Sequence, residues 1–243
     1  MTAGGKGGSV DWESFYDRLG DLYARKFLES PDEWQVRLAE RTRRSAGNGA
    51  VLEAGCGFGL TSYLVGEGAR RFLLDLDPRA IRHARSLFSA GGQSARFLVA
   101  DLFRLPFEDC AFDVVFNAGV VEHFPFAARR EALLEMIRVA KVGGKIIVAY
   151  PNHYSLPYRY SYLYRKQRGT WAYPDEEKIF DFKEEAAGIG SVVPLGRETV
   201  AMKTSFHFLS RGQRLMFKFR NLFERYEGYL TIVAFQKVPE KNG

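Results

Sequence analysis

Cysteine is nearly missing from this chain of 243 residues, which holds only Cys56 and Cys110. Two isolated thiols give no metal-ligand spacing and no disulfide framework, so both are expected to be reduced and no metal site is expected. No apolar run approaches the ~20 residues of a membrane-spanning helix. The first eight residues are small and polar with one lysine, so no signal peptide is expected and residues 1–9 read as a disordered N-terminus. There is no internal repeat and no low-complexity stretch beyond that terminus. These absences point to a cytoplasmic protein. What remains is ordinary for a globular chain, 46% hydrophobic and 26% charged, and long enough for one α/β domain with additions.

The net charge of +6 is unevenly placed. Residues 1–150 carry 20 Lys and Arg against 19 Asp and Glu, whereas residues 151–243 carry 15 against 10. A basic C-terminal part suits an acidic partner or an anionic surface, and equally a solvated exterior.

Residues 10–45 read as helical. Trp12, Phe15, Leu19, Leu22 and Phe27 share one face, Pro31 interrupts, and a second helix carries Trp34, Val36 and Leu38 to a Gly47-Asn48-Gly49 stop. Strand and helix patterns then alternate. Strands are expected at Val51–Ala54, Phe72–Asp75, Phe97–Ala100, Phe112–Asn117 and Lys145–Ala149. Helices are expected from Leu60, from Pro78 and over Ala127–Ala140, the last ended by Gly143-Gly144. Such alternation implies a parallel sheet with helices on both faces. Residues 151–178 break the rhythm with tyrosines mixed among arginines and lysines. A helix over Glu176–Ala187, a short strand at Ser191–Leu195 and a last strand at Tyr229–Gln236 follow. Between them Ser210 to Gln213 fits a capping box for a helix to about Glu224. Its apolar face would be Leu215, Phe219, Leu222 and Phe223, beside a stripe of Arg211, Arg214, Lys218 and Arg225.

The most informative run is Val51-Leu52-Glu53-Ala54-Gly55-Cys56-Gly57-Phe58-Gly59, a buried strand entering a glycine loop at a helix start. Twenty residues past Gly55, the next strand ends in Asp75. Strand, glycine loop and strand-end acid form a nucleoside-cofactor site, because glycines admit the backbone close to a ligand and the acid accepts ribose hydroxyls. The loop is G-x-G-x-G, not the G-x-G-x-x-G of dinucleotide enzymes, and Glu53 precedes it by two residues.

In this motif the sequence resembles the class I S-adenosylmethionine (SAM)-dependent methyltransferases, in the broad small-molecule branch that includes quinone-biosynthesis enzymes. The resemblance covers about residues 50–150. It implies a Rossmann-like α/β fold whose seven-stranded, mostly parallel sheet ends in an antiparallel strand. One domain over 10–243 would comprise a helical cap (10–48), a SAM-binding core (49–150) and a substrate-side insertion with the rest of the sheet (151–243). It implies SAM as cofactor and S-adenosylhomocysteine as product. Glu53, Gly55, Cys56, Gly57 and Gly59 would form the amino-carboxylate cradle, and Asp75 the ribose ligand. Asp77 competes for that role but reads better as the N-cap of the Pro78 helix. By the same resemblance Leu76 lines the adenine, Asp101 accepts from its amino group, Leu102 donates a backbone N–H, and the stretch through Asn117 passes beneath the methionine portion. Leu105-Pro106-Phe107 with Phe112-Asp113 also matches the branch.

The stretch Asn117 to Phe124 is not the N-P-P-Y or D-P-P-Y of adenine or glutamine amino-methylation. His123 is the general-base candidate, with a packing or capping role as the alternative. Methyl transfer needs chiefly in-line placement, so the acceptor-enclosing residues set identity. Tyr16 and Tyr23 are lid candidates by resemblance, and Tyr154, Tyr158 and Arg159 are acceptor-side candidates from the aromatic, basic insertion. Those arginines suit an acidic or aromatic small molecule. The expected function is methyl transfer from SAM to an O, N or C nucleophile. RNA methylation, a non-catalytic SAM-binding role and nicotinamide-dependent oxidoreduction remain as rivals; nucleic acid and a membrane surface are the less favoured partners.

Overall fold

The computed structural model describes residue 16 and residues 29–171, 173–206, 209–220 and 227–240, with the backbone alone for 218–220. The expected helical stretch before Pro31, Tyr23 and the end of the capped helix therefore lie outside the described residues, apart from Tyr16.

The element order is α1 (Glu33–Ala46), β1 (Ala50–Ala54), α2 (Leu60–Val65), β2 (Arg70–Asp75), α3 (Pro78–Ala90), β3 (Arg96–Val99), β4 (Phe112–Ala118), a 3-10 turn (Val121–His123), α4 (Phe126–Val139) and β5 (Ala140–Pro151). There follow α5 (Leu156–Gln167), α6 (Lys183–Ala186), β6 (Val192–Val200), α7 (Met202–Ser205), α8 (Arg211–Arg220) and β7 (Leu230–Lys237). The seven strands form one sheet in the order β3-β2-β1-β4-β5-β7-β6. β7 runs antiparallel to both its neighbours and every other pairing is parallel. This is the Rossmann-like sheet of the class I methyltransferase architecture.

All five residues of β1 are buried, as a central parallel strand with both faces covered requires. Side chains alternate between faces. Leu52, Val115, Ile146 and Phe235 pack with Leu133 and Met136 of α4. Val51, Val114, Ile147 and Ile232 pack on the other face with Leu38 of α1. Strand order reverses between β1 and β4, so the crevice at their C-terminal ends is where a doubly wound sheet takes ligands.

Four local expectations need correction. Helix α4 stops at Val139, not at Gly143-Gly144; its last carbonyls accept from the backbone of Cys110 and Ala111 and from Lys237 Nζ. The two glycines sit inside the twelve-residue β5, beside a register shift against β4, where a Cβ on Gly144 would come within 2.8 Å of the Lys141 carbonyl oxygen. The helix expected over 176–187 contracts to Lys183–Ala186. There Glu176 and Glu177 are spent on tertiary contacts, the first accepting from Tyr158 Oη and the second donating its N–H to the Glu122 carbonyl. The short strand at 191–195 extends to Val200, and its Pro194 and Gly196 bracket a shift that an edge strand tolerates. On α8 it is Phe217 that turns inward while Leu215 is 72% exposed, opposite to the expected face. The capping box itself forms reciprocally, Ser210 N–H to Gln213 Oε1 at 2.9 Å and Gln213 N–H to Ser210 Oγ at 3.4 Å. The interrupted region contains α5, which the aromatic composition did not suggest.

Among the described residues no helix is long and apolar enough to cross a membrane, and no cluster of three His, Cys, Asp or Glu could hold a metal.

Candidate active site

The glycine loop leaves β1 pinned to its neighbour: the N–H groups of Gly55 and Cys56 both donate to the Leu74 carbonyl. Gly55 and Gly59 have φ of 81° and 70°, in the left-handed region. A Cβ would also meet Val120 at 2.7 Å from Gly55 and Leu73 at 2.6 Å from Gly59. These glycines therefore fit strand and helix together as well as opening the loop.

Asp75 ends β2 with its carboxylate turned back on the loop. One oxygen accepts from Gly57 N–H at 2.8 Å and the other from Asp77 N–H at 3.0 Å. A carboxylate has about four acceptor positions, so these contacts do not exhaust it and it can still accept from a ligand hydroxyl. Burial raises the Asp75 pKa, opposed by the backbone N–H groups of Asp77, Gly57 and Leu76. Asp77 accepts from Arg79 N–H at 2.8 Å as the N-cap of α3.

Glu53 is buried beneath the loop and accepts from Ser62 N–H at 3.2 Å. Burial pushes its pKa up to about 8, against the ordinary 4.5, with the Ser62 contact pulling the other way. Burial also raises the Cys56 thiol well above its usual value, which keeps it unreactive. Tyr16 is buried on Phe58, with ring centroids 5.3 Å apart, and its hydroxyl lies 3.5 Å from where a Gly57 Cβ would stand.

These residues open on one cavity of about 860 Å³ at the strand ends. One end is lined by Tyr16, Glu53, residues 55–58 of the loop, Asp75, Leu76, Asp101 and Leu102, whereas Gly59 packs against Leu73 and Phe88 and is not in the lining. There Asp101 Oδ1 accepts from Phe103 N–H at 2.9 Å, and Leu76 is 68% exposed. The cavity continues past β4 to Glu122, His123 and Phe124, and past β5 and β7 to Pro151 and Tyr229. Trp34 and Gln35 of α1 and Trp171, Tyr173 and Glu176 after α5 close the far side. Small-ligand pockets commonly run ~300–1,000 Å³, and this volume lies in the upper part of that range.

His123 is almost buried, with its Nδ1 2.9 Å from the Asp175 carbonyl oxygen. A carbonyl only accepts, so Nδ1 carries the proton and Nε2 the lone pair; Nε2 lies 4.0 Å from Glu122 Oε1. Burial lowers the imidazole pKa, against the contacts with Asp175 and Glu176.

Several expected site residues stand elsewhere. Asn117 is fully buried in β4 below the cavity, its amide donating to Met136 Sδ at 3.4 Å, because period-two alternation turns it into the α4 core. Tyr154 is 45% exposed and packs on Phe180. Tyr158 is buried behind the wall, donating to Glu176 and packing against Trp171 and Tyr229 of the lining. Arg159 points away, donating to His153 Nδ1 at 2.9 Å. The stretch 154–173 does supply cavity walls, but by its far end. Trp34, Glu122, Glu176 and Tyr229 were not foreseen. The available signal was position: aromatic or acidic residues where chain segments reach the C-terminal edge of the sheet.

Fold and cleft define a Rossmann-like protein with a glycine-loop nucleoside site at the switch point. Residues 52–148 match the family model described as a methyltransferase domain. Over 145 residues the chain is 37% identical to a methyltransferase-named protein of Encephalitozoon cuniculi, covering 56% of this chain and 61% of that one. Over 137 residues it is 35% identical to the chloroplastic tocopherol O-methyltransferase of Arabidopsis thaliana, covering 51% and 39%. Over another 137 it is 30% identical to ajmaline N-methyltransferase of Rauvolfia serpentina, covering 54% and 42%. The chain thus spans about two fifths to three fifths of the length of these relatives. In fold it is similar to geranyl diphosphate C-methyltransferase of Streptomyces coelicolor, with TM-score 0.59, 15% identity, and 84% and 78% of the two chains covered. A geranyl diphosphate methyltransferase solved with SAM gives 0.61, 14%, and 95% and 96%. Residues 52–148 thus match a methyltransferase domain, in a fold shared with class I methyltransferases that bind SAM.

Proposed function

We propose that the protein transfers the SAM methyl group to a small-molecule nucleophile seated in the far half of the cavity. The observation that carries this reading is one continuous cavity joining the Asp75 and glycine-loop end to a second chamber beyond β4. Glu53, Gly55, Cys56 and Gly57 cradle the amino-carboxylate end, Asp75 takes the ribose hydroxyls, and Leu76, Asp101 and Leu102 flank the adenine. Tyr16 covers the methionine end. When bound, SAM supplies an electrophilic methyl whose C–S bond breaks, both electrons remaining on sulfur, as the acceptor bond forms. The protein holds the acceptor in line, which is worth roughly 7–11 kcal/mol of barrier in well-oriented reactions. His123 Nε2 takes the proton of a protonated or hydroxylic acceptor, its ring aligned by the Asp175 carbonyl.

The test is calorimetric titration of the full chain with S-adenosylhomocysteine, and with NADH and NADPH as controls. Transfer of labelled methyl from SAM to small-molecule pools follows. Micromolar homocysteine-adduct binding with labelled product supports the reading; binding to a nicotinamide cofactor alone sinks it.

A further inference from the structure

We infer that the methyl acceptor is a cationic amine, held as its ammonium ion between aromatic walls and the carboxyl groups of Glu122 and Glu176. This rests on the methyltransferase reading above and names the acceptor class.

Charge is the first argument. Glu122, Glu176 and Asp32 line the far chamber. Among the described residues the cationic or potentially cationic side chains lining the cavity are Arg79 and His123. Arg79 lies at the cofactor end with Nε 3.1 Å from Asp77 Oδ1, and burial holds His123 toward its neutral form. Among the described residues a carboxylate or phosphate acceptor would find no partner cation beside Glu122 and Glu176.

An unmet acceptor is the second. Glu122 is 2% exposed, lines the cavity, and its Oε2 has no hydrogen-bond partner among the described residues. Leaving a buried carboxyl oxygen bare is costly unless a donor reaches it. Burial, and next the charge of Glu176, raise the Glu122 pKa well above the carboxyl range. Two acids facing one desolvated space lack a positive charge between them, and an ammonium supplies it.

The third is that Glu176 is held in place. Tyr158 Oη donates to its carboxylate, at 2.8 and 2.6 Å from the two oxygens. His153 Nε2 stands 3.1 Å from Oε2. Arginine cannot accept, so Arg159 donates to His153 Nδ1 and the ring's remaining proton is on the nitrogen facing Glu176. Tyr158 thus fixes an acid at the cavity wall, with the His153 ring, itself held by Arg159, beside it. The aromatic rings of Trp34, Trp171, Tyr173 and Tyr229 supply the faces that attract an organic cation.

The step balances on these groups. The ammonium gives one proton to His123 Nε2. The freed nitrogen lone pair forms the N–C bond as the methyl C–S bond breaks with its electrons on sulfur. The product leaves as an N-methylated ammonium, and His123 returns its proton to solvent.

The test uses tryptophan fluorescence of the full chain saturated with S-adenosylhomocysteine, since Trp34 and Trp171 line the cavity. The probes are 2-phenylethylammonium, 3-phenylpropionate and 2-phenylethanol. The ammonium is expected to quench saturably and to bind at least about tenfold tighter than either other probe. Glu176→Gln and Glu122→Gln are each expected to weaken it about tenfold, in line with charge-assisted contacts, with S-adenosylhomocysteine affinity unchanged. The two isosteric variants guard against one failing to fold. Equal or tighter binding of the carboxylate or alcohol, no ammonium binding, or parent-like binding by both variants overturns the inference. Failure of wild type to bind S-adenosylhomocysteine instead removes the methyltransferase reading beneath it.

Discussion

Asp75 shows how one side chain serves two ends. Its oxygens brace the loop through Gly57 and Asp77, so truncation loosens the loop and, in the proposed function, deletes the ribose acceptor together. Asp75→Ala is expected to weaken S-adenosylhomocysteine binding by more than tenfold, measured by calorimetry, because hydrogen bonds to a charged group are worth ~1.5–3 kcal/mol. Glu53 makes a separable prediction about pH. Its folded pKa of about 8 lies above the ordinary 4.5, so between those values the folded state binds more protons than the unfolded state. Stability contributed by the protonated group is full below the unfolded pKa and is lost as pH rises toward about 8. Glu53→Gln keeps the acceptor for Ser62 N–H and is expected to flatten melting temperature against pH over that window; an unchanged slope would contradict the assignment. For His123, the proton-accepting form is lost as pH falls. Turnover should therefore decline on the acid side, below the ordinary histidine value near ~6.5 because burial lowers the pKa, and His123→Gln should abolish that limb in a pH–kcat profile.

At the scale of elements, the cavity depends on how helices and loops are tied to the sheet. Arg129 of α4 and Glu185 of α6 are both buried, with Nε 2.6 Å from Oε1, and Arg129 also donates to the Phe124 carbonyl at 2.8 Å. These contacts fasten the 176–187 segment, and so Glu176, beside the turn that carries Glu122 and His123. Removing one partner strands a buried charge, so Arg129→Met is expected to cost ~3–5 kcal/mol in urea unfolding. The loop-to-helix junction is equally unforgiving. Gly59→Ala meets a left-handed φ and the Leu73 side chain at once, and overpacking alone costs ~1–3 kcal/mol. A variant as stable as the parent in the same assay would refute that packing role.

Across the whole molecule, net charge and site charge have opposite signs. The chain is basic by +6, yet the acceptor chamber is walled by acids. Arginines that looked suited to an acidic substrate are engaged outside the cavity: Arg159 on His153, and Arg168 over the Tyr164 ring at 4.4 Å. Basic surface patches attract polyanions without sequence or site selectivity, and salt screens that attraction. Incubation with total RNA and labelled SAM is therefore expected to leave the RNA unlabelled, with any RNA binding lost between ~50 and ~200 mM salt. Methyl label in RNA would restore the nucleic-acid reading.

The strand–helix alternation, the glycine loop, the Asp77 cap of α3 and the Ser210–Gln213 cap were legible in the chain, because each depends on neighbours a few residues away. Hydrophobic period marks strands and helices, positive φ demands glycine, and a proline at a first helical turn fixes the cap before it. The acceptor chamber was not legible. Trp34, Glu122, Glu176 and Tyr229 are far apart in sequence and meet only because the sheet brings the ends of β4, β5 and β7 to one edge. Long-range ties likewise overrode local preference where Glu176 and Glu177 left their helical pattern for Tyr158 and the Glu122 carbonyl. Composition counts charges but not the direction in which they point. Sequence alone therefore determined the strand–helix alternation and the glycine loop, while tertiary packing decided which charges face the cavity.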